Sequence, residues 1–241
     1  MQYFLDTTGT IPEGVGFTHY DPLHIAWLIF AIAFIAIVSI VYKNQDAVKR
    51  DKTRKILAAA LILDELWKML WLTVGHRYEL QYLPLHLCSI NIFIIGYHCF
   101  RPNKTLDNFL YIVCIPGALA ALLFPSWAVL PFANFMHLHS FTVHTLLVAY
   151  PAVLLINGEL KPDIKVFPKC FALLTVFGFI ALGFNLIFDE NFMFLMYADP
   201  GNPLYVFEQL FGYHWIGFPV IILGILIVMY GIPAIYRKIN R

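Results

Sequence analysis

The chain has 241 residues, of which 60% are hydrophobic and only 13% charged, and its mean hydropathy is +0.73. This composition excludes a soluble globular domain, and a net charge of +1 gives no sign of a nucleic-acid partner. The sequence therefore predicts an all-α, polytopic membrane protein. Its expected partner is membrane lipid, and its expected location is the cell membrane, which it crosses several times.

Apolar runs long enough to cross a bilayer core, about 20 residues each, occur seven times along the chain. The residues before the first of these runs lack a basic n-region and a small-residue cleavage site, so they do not resemble a signal peptide. We interpret 1–22 as an external N-terminal segment on the lipid surface, and 23–241 as one seven-helix membrane domain. The predicted spans are 23–42, 55–75, 83–100, 108–124, 136–157, 168–188 and 213–236.

The positions of Lys and Arg predict the orientation in the membrane. Alternate connections, together with the C-terminal tail, hold 14 of the 16 basic residues. Basic loops stay on the cytoplasmic side, so the N-terminus is predicted to be outside and the C-terminus cytoplasmic. An odd number of spans agrees with this. The basic connections are 43–55, 101–107 and 158–169.

The second predicted span contains three ionisable residues, which are costly in a hydrocarbon layer. Lys68 follows Asp64 by four residues and Glu65 by three, so it can reach either carboxylate on one helix face. We predict an ion pair there, with one carboxylate in excess. Two roles stay open: a purely structural triad, or a partner that orients or balances a nearby imidazolium.

The third predicted span carries polar residues near its outer end. A helix that enters at Pro84 places Cys88 about 6 Å below its start at 1.5 Å per residue. Cys88 shares a face with Asn91, whereas His86 lies too close in sequence to touch it along a regular helix. A base that activates the Cys88 thiol must therefore come from another helix.

The fifth predicted span supplies the candidate base. His137, Ser140 and His144 share one helix face, and His139 points well away from it. By depth, His144 is the best-placed partner for Cys88, with His137 behind it. Ser140 or the Asn91 amide is a candidate donor to an oxyanion, and either carboxylate of the second span could orient a histidine.

The remaining spans add fewer candidates. The sixth ends at Asn185, with Asn191 shortly after it, and the fourth contains Pro116–Gly117, where a kink is expected. Polar side chains thus gather in the outer half of the predicted bundle, and no comparable collection is expected in the cytoplasmic half.

The cysteines predict neither a disulfide framework nor a structural zinc site, since no CxxC spacing occurs. A lone cysteine in a membrane helix is usually an apolar filler, which we expect of Cys99, Cys114 and Cys170. A lone intramembrane histidine often bonds a neighbouring helix. Residues alone therefore leave both packing and catalysis open for Cys88 and His144.

Several segments carry a resemblance that covers most of the chain from about residue 55. The sequence resembles the bacterial YwaF-type integral membrane family, related to eukaryotic transmembrane protein 164, an acyltransferase acting on ether phospholipids. That resemblance implies a seven-helix fold and a Cys88 nucleophile with His144 as its partner. The segments are LPLHLCSI, GALAALLFP, FTVHTLLVAYP and NLIFDENFMFLMYADP (with Asn185, Asn191 and Pro200), and FGYHWIGFP as a looser match.

Three classes of function remain. The leading hypothesis is a membrane-embedded acyltransferase or lipid hydrolase that attacks phospholipid esters in the outer leaflet through Cys88 and His144, with no cofactor or metal. The second is an intramembrane zinc hydrolase, although no histidine pair has the i, i+4 spacing. The third is a transporter or a lipid- or small-molecule-binding protein, although no internal repeat is visible. The zinc hypothesis draws on the outer histidines His76, His86, His137, His139, His144 and His214.

Overall fold

The computed structural model describes residues 3–12, 14–199 and 202–239, and this part of the chain contains helices and no strands. Short 3-10 and π turns connect or interrupt the α-helices. The α-helices are α1 (Pro22–Lys43), α2 (Ala47–Val74), α3 (Leu87–His98), α4 (Lys104–Phe109), α5 (Ile115–Leu123), α6 (Phe135–Ile156), α7 (Phe167–Phe188), α8 (Pro203–Phe211), α9 (Gly217–Leu226) and α10 (Ile232–Ile239).

Six helical stretches of the described chain are long and apolar enough to cross a membrane. They coincide with six of the seven predicted spans. The remaining predicted span, 55–75, is the second along the chain and falls within α2. This helix is long enough to cross a membrane, but its first third is strongly charged and it carries three further ionisable residues. The six stretches are Pro22–Lys43, Leu80–His98, Lys104–Leu123, Phe135–Ile156, Ile164–Phe188 and His214–Ile235.

Helix α6 lies at the centre of the bundle. Of its apolar window, 72% is buried, whereas the windows of α7 and α1 are only 11% and 17% buried. It packs against α1, α2, α3 and α5. Because the outer helices expose large apolar side chains such as Phe179, lipid is their natural solvent. The central helix is therefore where a protected site can form.

Prolines explain two irregularities of the backbone. Pro151 lies inside α6 and has no N–H to donate, so the carbonyl of Leu147 loses its helical partner. The Cys114 thiol donates to that oxygen at 3.3 Å, which gives this cysteine a structural role. A π turn, Leu110–Cys114, ends two residues before Pro116, so the predicted kink appears as a widened turn.

A second polar cluster lies at the end of the bundle where α3 finishes. His98 Nδ1 lies 2.8 Å from the Tyr150 hydroxyl, and its Nε2 lies 2.8 Å from Asp107 Oδ1. Nearby in the same half of the bundle, the Tyr42 hydroxyl donates to Glu159 at 2.7 Å. The expectation that this half of the bundle lacks polar clusters was wrong. The cluster was missed because its residues come singly from different helices and include tyrosine hydroxyls.

The N-terminal segment packs against protein. The Asn134 amide donates to the carbonyls of Tyr3 and Asp6 at 2.7 and 2.8 Å, and the Phe135 N–H donates to Phe4 at 2.8 Å. Asp6 also lies 3.3 Å from Arg77 after α2. These contacts tie the segment to the end of the bundle where α6 begins, and its position on the lipid surface stays a prediction.

Candidate functional site

Cys88 lies in the first turn of α3. The residues from Leu83 to His86 form a tight turn, so the helix begins at Leu87 and not at the predicted Pro84. His86 is the N-cap, and its side chain makes no capping hydrogen bond. The backbone N–H groups of a first helical turn have no partner within the helix, so Cys88 lies beside backbone donors at the positive end of the helix dipole.

Cys88 and His144 are in contact. The distance from His144 Nε2 to Cys88 Sγ is 3.1 Å, within the range for a hydrogen bond to sulfur. His144 Nδ1 lies 2.6 Å from the backbone carbonyl of Ser140. A carbonyl oxygen only accepts, so Nδ1 must carry the proton and Nε2 of the neutral ring presents its lone pair to the thiol. The local helix thus fixes the tautomer that can take a proton from Cys88.

Trp127 covers one face of the His144 ring. The two ring centroids are 5.1 Å apart and the planes differ by only 15°. The indole is buried, and its Nε1–H has no hydrogen-bond partner among the described residues. An indole face attracts a cation, so this stack favours the imidazolium that forms when the thiol loses its proton. No sequence pattern indicates this contact, because Trp127 lies in a connection whose path only the tertiary fold determines.

The carboxylates of α2 meet His139 and not His144. His139 Nδ1 lies 2.9 Å from Asp64 Oδ2, without the alignment of a hydrogen bond, and its Nε2 lies 4.0 Å from Glu65 Oε2. The predicted ion pair is present between Lys68 Nζ and Glu65 Oε1, at 2.6 Å and almost fully buried. The carboxylate left without a lysine is therefore that of Asp64. It faces His139, whose side chain was predicted to point away from the helix face of His137 and His144.

This charge cluster borders the turn that carries Cys88. The Ser89 hydroxyl donates to Glu65 Oε1 at 3.4 Å, so the residue after Cys88 is linked to the α2 ion pair. Ser89 was not among the predicted site residues, although a buried carboxylate such as that of Glu65 requires hydrogen-bond donors around it. The link fixes α3 against α2 at the depth of the thiol.

His137 is occupied elsewhere. Its Nε2 accepts from Trp27 Nε1 at 2.9 Å, and its Nδ1 donates to the Leu130 carbonyl at 3.1 Å. It is fully buried, and no lone pair remains to take a proton from Cys88. Its sequence-based role as a second candidate base therefore has no support in this arrangement, in which it joins α1 to the connection before α6.

The two candidate oxyanion donors differ in what they offer. The Asn91 amide donates to the Leu87 carbonyl at 2.9 Å, and its Oδ1 is buried without a partner among the described residues. Ser140 contributes its backbone carbonyl to His144. The backbone N–H groups of Cys88 and Ser89, which have no acceptor within the helix, are better placed as donors because they adjoin the sulfur.

The remaining predicted residues form the border of the site. His86 packs against the ring of Phe192, with 5.0 Å between centroids. The Asn185 amide makes two hydrogen bonds with the backbone of Phe192, and Asn191 holds the turn that follows. Pro200 lies outside the described residues.

Among the described residues, no group of three or more His, Cys, Asp or Glu side chains is arranged to hold a metal ion. Cys99 and Cys170 are buried, and each thiol donates to a backbone carbonyl, that of Gly96 and that of Thr105. They are bound in the fold, as expected for packing cysteines.

The long apolar helices around a partly buried polar site define a multi-pass helical membrane protein. Residues 18–230 match the TMEM164 family, and the chain belongs to that family. The sequence-based relation to transmembrane protein 164 is thereby confirmed, while the bacterial YwaF-type assignment stays a prediction. Comparisons with curated proteins and with solved structures give no match.

Proposed function

We propose that this protein is a membrane-embedded acyltransferase or lipid hydrolase that uses Cys88 as nucleophile and His144 as general base. The observation that carries the proposal is the 3.1 Å contact between Sγ and Nε2, with the tautomer set by Ser140. Nucleophile and base within hydrogen-bond reach, with the base oriented by a third group, is the arrangement that nucleophilic catalysis requires. Membership of the TMEM164 family supports the same class of activity.

In the first half-reaction, His144 Nε2 takes the proton of the Cys88 thiol. The thiolate attacks the carbonyl carbon of an acyl ester, and the N–H groups at the start of α3 stabilise the negative oxygen. The intermediate then breaks its bond to the alcohol oxygen, which receives the proton from His144 as the lysolipid leaves. An acyl thioester on Cys88 remains.

In the second half-reaction, an alcohol, an amine or water gives its proton to His144 and attacks the thioester. Cys88 leaves as the thiolate and recovers the proton. A lipid acceptor makes the reaction a transfer, and water makes it a hydrolysis. No atom outside the two substrates and the Cys88–His144 pair is needed for proton balance.

We further propose that α2 also crosses the membrane, which brings the number of spans to seven, and that the site faces the outer leaflet. Burial of its Glu65–Lys68 pair against α6 supports the first part, because paired ionisable groups are tolerated inside a helix bundle. The excess of basic residues on alternate connections supports the second. Ester bonds of lipids lie near the headgroup level, where a site at the start of α3 would meet them.

The test is acyl transfer in proteoliposomes with a phospholipid that carries a labelled acyl chain. Wild-type protein should move the label to another lipid or release it as free acid, and Cys88→Ser and His144→Ala should each lose at least about 100-fold, the usual worth of a general base. His137→Phe serves as the matched histidine control, and the folded variant should keep the wild-type rate of acyl transfer. Equal activity of wild type and Cys88→Ser would refute the proposal.

A further inference from the structure

The connection between α7 and α8 folds back over the start of α3. Phe192 is only 1% exposed, and its ring meets the His86 ring nearly edge-on, with 5.0 Å between centroids. Phe194 lies 6.5 Å from the same ring, and Met193 packs against the main hydrophobic core. An aromatic side chain is therefore inserted beside the N-cap of the helix that carries Cys88.

The backbone that inserts Phe192 is strained. Met193 has φ 58° and Phe194 has φ 56°, in the left-handed region that bulky side chains rarely adopt. Asp189, which ends α7, has φ 56°. Strain of this kind persists only where the surroundings hold the segment, and it is concentrated at functional sites and switch regions.

Two asparagines hold the segment in place. Asn185 Oδ1 accepts from the Phe192 N–H at 2.7 Å, and its amide donates to the Phe192 carbonyl at 3.1 Å. On the outer side, Asn191 accepts from the Met196 N–H and donates to the Tyr197 carbonyl, each at 3.0 Å. We call the Asn185 contacts the inner clamp, because they bind the inserted residue itself. The Asn191 contacts are the outer clamp, because they close the turn that follows it.

We propose that Phe192 is a plug that fills the entrance for an acyl chain and controls which chains reach Cys88. This inference rests on the proposed function. The ester carbonyl must approach the backbone N–H groups at the start of α3, so the first carbons of its chain need apolar space beside His86. The Phe192 ring fills that space, and an acyl chain can replace it because both are apolar. Backbone strain at Met193 and Phe194 makes withdrawal of the plug easier.

The test compares two thiol reagents of the same chemistry and different size on the full chain in detergent. The rates of modification of Cys88 by N-ethylmaleimide and by a maleimide with a dodecyl chain are measured by mass spectrometry. Phe192→Ala should raise the ratio of dodecyl to ethyl rates about tenfold, equivalent to about 1.4 kcal/mol. The matched control is Phe179→Ala on α7, whose side chain is 69% exposed and far from His86 in the chain; it should leave the ratio unchanged.

A second variant keeps the test decisive if Phe192→Ala does not fold. Asn191→Ala removes the outer clamp and leaves the plug and the inner clamp intact, so it should raise the same ratio by a smaller factor. If the variants that fold show the wild-type ratio of dodecyl to ethyl rates, the proposed role of Phe192 as a plug is refuted. His144→Ala tests the underlying pair separately: an unchanged N-ethylmaleimide rate there would refute the proposed pair, whatever the ratio shows.

Discussion

Loss of Lys68 should destabilise the protein strongly. Its side chain is only 7% exposed and that of Glu65 only 3%, with 2.6 Å between Nζ and Oε1. Replacing Lys68 by Met leaves the Glu65 carboxylate buried without its cation, beside a second carboxylate on Asp64. Breaking a buried pair from one side costs about 3–5 kcal/mol. For a chain of this length, that corresponds to a fall in Tm of roughly 6–20 °C.

The assay is thermal unfolding in detergent, with a matched pair on the same helix as control. Lys55 and Asp51 are also in contact at 2.6 Å, but they are 43% and 41% exposed, so Lys55→Met should cost less than about 1 kcal/mol. The double variant Lys68→Met with Glu65→Gln removes the stranded charge and should recover part of the loss. If Lys68→Met melts like wild type, the pair is in water and the buried position of this part of α2 is wrong.

Three further outcomes are expected. His137→Phe should lower Tm, because two buried hydrogen bonds worth about 1 kcal/mol each are lost, and a slower labelling of Cys88 in the folded variant would contradict its structural role. Trp127→Phe should keep Cys88 labelling within a few-fold of wild type while Trp127→Ala lowers it, and equal rates for the two would show that the stack on His144 is unimportant. A single cysteine introduced at an exposed position of 158–163 should react with impermeant reagents only from the cytoplasmic side of vesicles, and labelling from outside would reverse the proposed orientation.

Much of the fold follows from hydropathy, because a bilayer requires long apolar helices and leaves few alternatives. Six of the predicted spans coincide with helices to within a few residues. The start of α3 was misplaced, because a proline is compatible with both a first helical turn and the tight turn that Pro84 forms. The short helix α8 was missed, because nine residues between two spans carry no membrane signal.

The candidate site could be predicted in its centre and not in its surroundings. Depth along two helices was enough to choose His144 for Cys88, since both enter the bundle from one side. Helical phase says which side chains share a face, but not which neighbour that face meets, so His139 was set aside although it faces Asp64. Trp127 comes from an irregular connection, where no periodicity indicates direction.

The most direct test is whether Cys88 carries an acyl group during turnover. Wild-type protein incubated with phospholipid vesicles and acid-quenched should yield a Cys88 peptide heavier by one acyl chain, in a linkage that hydroxylamine cleaves. His144→Ala should abolish this adduct, and Cys114, buried and bonded to Leu147, should stay unmodified. Lipid turnover without any adduct on Cys88, or an adduct that forms equally well without His144, would contradict the Cys88–His144 mechanism.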